Sequence, residues 1–118
     1  MTHNLEKIRI KCAELVGYDK QCREVIWWNP KLGNYFDFDE LPNYPASADA
    51  ALELVAWMAR PENGGYVLRA DNIHGEWRVE TWTTANTPYR EVKVISETFP
   101  LAICLAFLKA NNINPETL

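Results

Sequence analysis

From Leu101 to Leu108 the chain reads Leu-Ala-Ile-Cys-Leu-Ala-Phe-Leu, without one polar side chain. Thr98 is a natural N-cap and Pro100 fits a first helical turn, so a helix is expected from Phe99 to about Ala110, ended by Asn111-Asn112. A surface helix carries a polar stripe, and this one has none. A sheet face covers only about half of its circumference, so the rest must meet other helices or a second chain. Both covers stay open: the first two helices flanking it within one chain, or a homodimer, for which a twofold arrangement is the commonest. The homodimer is the expectation, with Leu101, Leu105 and Leu108 at its interface. Small Ala102 and Ala106 allow close approach either way.

A chain of 118 residues with 47% hydrophobic side chains has enough apolar material for one core and one domain. The net charge of −4 is spread along the chain without a Lys/Arg block, so neither nucleic acid nor a membrane surface is an expected partner. Three cysteines, Cys12, Cys22 and Cys104, show no CxxC or CxxH spacing, which suits free thiols and argues against zinc. The first residues lack a basic and then apolar leader, and no apolar run is long enough to cross a bilayer, so a cytoplasmic protein is expected.

Leu5, Ile8, Cys12, Leu15 and Val16 repeat at helical spacing, and Gly17 reads as a left-handed C-cap. Val25–Trp28 and Asn34–Phe38 form a hairpin about the turn Asn29–Gly33. The first strand is apolar on both faces and wants cover on both. Ser47 caps a second helix that ends near Arg60, before Pro61. Tyr66–Ala70, Glu76–Thr83 and Arg90–Ser96 read as three more strands. Tyr66 and Leu68 share a face with Trp77 and Val79 if paired residue numbers sum to an odd value. A four-residue loop over Asp71–His74 satisfies this without forcing Ile73 to positive φ, as a turn on Asn72-Ile73 would. The order α-β-β-α-β-β-β-α predicts an α+β fold, an antiparallel or mixed sheet of about five strands sandwiched by about three helices.

Most enzyme chemistries find no footing. Asp37, Asp39 and Glu40 are the densest acidic group, but a hard-cation site needs more converging oxygens, and solvated charge at a hairpin end is the simpler reading. His3, at a terminus, and His74, in a turn, have no carboxylate partner in sequence. Cys12 and Cys104 sit on apolar stripes, and only Cys22, near Lys20 and Arg23, has an electropositive setting. Gly64-Gly65 is a bare turn. No catalytic residue, metal or cofactor is predicted. The suggestive feature is the sheet face opposite Trp77 and Val79, where alternation gathers Arg69, Arg78, Trp82 and Lys93. Arg and Trp together can stack on and charge-pair an anionic ring such as a nucleotide. The competing reading is a cross-strand charge ladder, with Arg69 near Glu76 and Trp82 laid under a helix.

Two stretches resemble a known family. Pro45-Ala46-Ser47-Ala48-Asp49-Ala50-Ala51-Leu52-Glu53-Leu54 is similar to the helix start of the phage ABA sandwich domain family. Glu97–Ala110, with Thr98, Pro100, Ala102, Ile103 and Cys104, is similar to its closing helix, and Gly75–Val79 to its central Trp-bearing strand. The resemblance implies a small phage or prophage protein with a sheet between helices, working in the host cytoplasm, and it brings no catalytic residues. The function expected is that of an accessory protein that binds a host protein or a small anionic ligand and modulates a host process or defence; a small enzyme or a purely structural domain is the alternative.

Overall fold

Helix α1 spans Leu5–Val16 because both of its ends are satisfied. Asn4 Oδ1 accepts from the Lys7 amide, and Gly17, at φ 116°, turns the chain out while its N–H reaches Ala13 and Glu14. The computed structural model describes residues 3–20, 26–85 and 88–118. The order continues β1 (Asp19–Lys20), β2 (Ile26–Asn29), β3 (Asn34–Asp37), α2 (Ala48–Ala59), β4 (Tyr66–Ile73), β5 (Glu76–Thr83), β6 (Glu91–Ser96) and α3 (Phe99–Ala110). Ser47 and Thr98 cap α2 and α3 as expected, accepting from Ala50 and Leu101. Cys22 and Val25, read above as a polarised thiol and a strand start, lie outside the described residues.

The described residues form three helices and six strands in two antiparallel sheets, β1-β2-β3 and β4-β5-β6, rather than about five strands in one. The additional strand is β1, whose two residues pair with Trp28 and Trp27 and are too few to show a period in sequence. The hairpin keeps its own sheet and pairs with neither β4 nor β6.

The β4–β5 register departs from expectation in an instructive way. Tyr66 pairs with Thr83 and Ile73 with Glu76, so the turn is the two residues His74-Gly75 and not Asp71–His74. Both turn residues take positive φ, 54° and 84°, as a two-residue turn matched to strand twist requires. The shift is two residues per strand, so every side chain keeps its expected face.

Tyr66, Val79, Thr81, Val92 and Val94 point inward, and the helices cover them, α3 against β5 and β6 and α2 against β4. Thr81, fully buried, donates its hydroxyl hydrogen to the Val67 carbonyl. Helices α1 and α2 both pack on α3, and Ala102–Leu108 are buried without a second chain. The all-round apolar helix is therefore the centre of the monomer. Its partners come from the same chain, and the reason for placing Leu105 and Leu108 at a dimer interface disappears. Leu101, at the first turn, is half-buried.

On the opposite face of β4–β6 the side chains of Val67, Arg69, Arg78, Lys93 and Ile95 are exposed. Strand β2 is likewise covered on one face only. Trp27 is fully buried, Ile26 is exposed, and half-buried Trp28 packs on Tyr35 at 4.8 Å.

Candidate functional site

Alternation on three paired strands builds the open face row by row. Val67, Trp82 and Glu91 form one row, Arg69, Glu80 and Lys93 the next, and Asp71, Arg78 and Ile95 the third. Ile73 and Glu76 close it at the turn. Arg69, Arg78, Trp82 and Lys93 thus share one face, as the alternation predicts.

Two of the three cations on that face already have carboxylate partners. Arg69 Nε meets Asp71 Oδ2 at 3.0 Å, and Lys93 Nζ meets Glu91 Oε1 at 3.1 Å. The Tyr89 hydroxyl also donates to Glu91 at 2.7 Å. That hydrogen bond and Lys93 hold the Glu91 carboxyl below its usual range, and Glu91, with Glu80 behind it, raises Lys93. Arg78 makes no ion pair with a described carboxylate. The ladder partner of Arg69 is Glu80, and Trp82 lies half-buried beside Val67 with no helix over it.

Around these charges the face exposes apolar surface: Val67 is 41% exposed, Ile73 39% and Ile95 59%. Asp71 and Ile73 escaped the sequence reading because a loop was expected there. The His74-Gly75 dipeptide, able to take two positive φ angles, was the signal.

The other candidates resolve into structure. The Glu40 carboxylate accepts from the Asp37 amide at 3.0 Å and so caps the 3-10 turn Phe38–Glu40. Arg9, which sequence did not single out, bonds the carbonyls of Asp39, Leu41 and Pro42 and lies 4.6 Å over the Phe38 ring, fastening this segment to α1. His74 is exposed in its turn, and His3 is half-buried near Lys93 and Lys109. Cys12 and Cys104 are fully buried against each other, and burial, then the Cys104 hydrogen bond, pushes the Cys12 thiol up. Gly64 and Gly65 close the turn into β4, and their carbonyls accept the amides of Ala85 and Thr84. Among the described residues no three His, Cys, Asp or Glu side chains gather to hold a metal, and no helix is long and apolar enough to cross a membrane.

No protein-family model and no curated protein sequence matches the chain, so the likeness to the phage ABA sandwich domain stays a resemblance. Among solved structures, a phage protein from Bacillus cereus ATCC 14579 has a similar fold. Its TM-score is 0.61, covering 97% of this chain and 93% of that one at 15% identity, a likeness of fold alone.

Proposed function

We propose that this chain is a phage accessory protein that acts by binding, docking a host protein on the open face of β4–β6. The observation that carries the reading is that face itself: three exposed aliphatic side chains and a half-buried Trp82, interleaved with charges of both signs. Protein interfaces join apolar contact area, Trp and Arg anchors and a charged rim in this way. A free anion gains less here, because Arg69 and Lys93 already have carboxylate partners. The phage setting rests on the resemblance and on the fold shared with the Bacillus cereus phage protein. Affinity capture from bacterial cells, followed by mass spectrometry, tests the reading with wild type and Ile95→Glu. Wild type should retain a discrete protein that Ile95→Glu loses while its melting temperature is unchanged. The same retained set for both proteins contradicts the docking face.

A further inference from the structure

A second surface, remote from the open face in its residues, has the chemistry of a small-molecule site. Three elements converge on a cleft of about 370 Å³: the end of α1 with Tyr18, the β2–β3 turn with Lys31, and one stripe of α2. That volume lies at the low end of the ~300–1,000 Å³ typical of ligand sites, room for one ring system and one charged group. Glu53, Ala56 and Trp57 stand three and four residues apart on α2 and so face the cleft together, and Arg60, the extended residue that ends the helix, lines it at the same end. Ala56 leaves the space open where a longer side chain would fill it.

The walls are held in place from behind. The Trp57 ring meets Phe107 edge-on at 5.3 Å, and Tyr18 meets Phe36 edge-on at 5.6 Å. The Asn29 side chain accepts from the amides of Lys31 and Leu32, and Gly33, at φ 69°, closes the turn that carries Lys31. Rigid aromatic walls lose little entropy when a ring enters between them.

The polar groups are uncommitted. Neither Lys31 nor Arg60 makes an ion pair with a described carboxylate. Tyr44 is 1% exposed, and its hydroxyl has no hydrogen bond to a described residue. Tyr44 is among the residues that line the cleft. Buried polar groups without partners are uncommon in folded proteins, and one in a cleft wall is a candidate partner for a ligand.

We infer that this cleft binds a planar nitrogen heterocycle carrying one phosphate or carboxylate. Tyr18 and Trp57 offer faces to the ring, Lys31 and Arg60 take the anion, and Glu53 accepts from a ring N–H or amino group, which a plain arene lacks. The inference stands on a different surface from the proposed docking face, and either can fail alone.

Calorimetric titration of the full chain tests it with adenosine 5′-monophosphate, indole-3-acetate, adenosine and inorganic phosphate. At least one of the two ring anions should bind one-to-one, with adenosine and phosphate about tenfold or more weaker. Ala56→Leu, which fills the cleft, and the double variant Lys31→Ala/Arg60→Ala should each weaken binding about tenfold or more. Leu52→Ser, elsewhere on α2, should leave binding unchanged. Failure of both ring anions to bind at millimolar concentration, or binding that survives Ala56→Leu in a folded protein, overturns the inference.

Discussion

Phe107 has no solvent exposure and takes the edge of Trp57 at the centre of the α2–α3 contact. Removing its ring leaves a cavity in the core, so Phe107→Ala should lower stability by about 3–5 kcal/mol. Denaturant titration measures it, and a loss under about 1 kcal/mol would mean that the site collapses or is not core. The buried thiols give a second prediction at this scale. Burial raises both the Cys12 thiol and the Tyr44 hydroxyl above their ordinary values. Because the protonated form is favoured in the fold, their contribution is fully present below about pH 8.5 and is lost as pH rises through the alkaline range. Stability should therefore decline above that pH, and Cys12 and Cys104 should resist thiol labelling in the native protein at pH 8. Rapid native labelling of both, read by peptide mass spectrometry, would contradict their burial.

At the scale of elements, Gly75 and α3 carry the strongest claims. Gly75 sits at φ 84° with nothing within 4 Å of an added Cβ, so Gly75→Ala should cost about 1 kcal/mol through the backbone alone. His74→Asn, equally able to take positive φ, should be close to neutral in the same denaturant titration. Leu105, 4% exposed, is buried within the monomer, so Leu105→Ala should cost about 2–5 kcal/mol independent of protein concentration. A melting temperature that rises with concentration and loses that dependence in the variant would restore the dimer interface. These cases show what was legible. The caps Gly17, Ser47 and Thr98 and the strand alternation were readable because each is a local rule, and the face shared by Arg69, Arg78, Trp82 and Lys93 followed from alternation. Turn position was not, since a two-residue shift leaves the inward and outward pattern intact. Nor could sequence say whether α3 is wrapped by α1 and α2 or by another chain, because apolarity on all sides states a need for cover and not its source. Arg9 was invisible for the same reason, its three carbonyl partners lying about thirty residues away.

At the scale of the whole molecule, α2 and α3 pack on one side of β4–β6, and among the described residues the side chains on the other side are largely exposed. Antiparallel sheets tolerate water on one face, but such faces ordinarily alternate polar side chains outward. Here Val67, Ile73 and Ile95 break that pattern around Arg78, and singly scattered apolar residues would need no account, whereas these share one three-stranded face. The central claim is that a host protein covers this face. Site-specific photocrosslinking tests it most directly, with a photoreactive residue in place of Ile95 on the face or of Leu52, half-exposed on α2, as the control. The account predicts one discrete host protein crosslinked from position 95 and absent from position 52. No crosslink from position 95, or the same products from both positions, would contradict it.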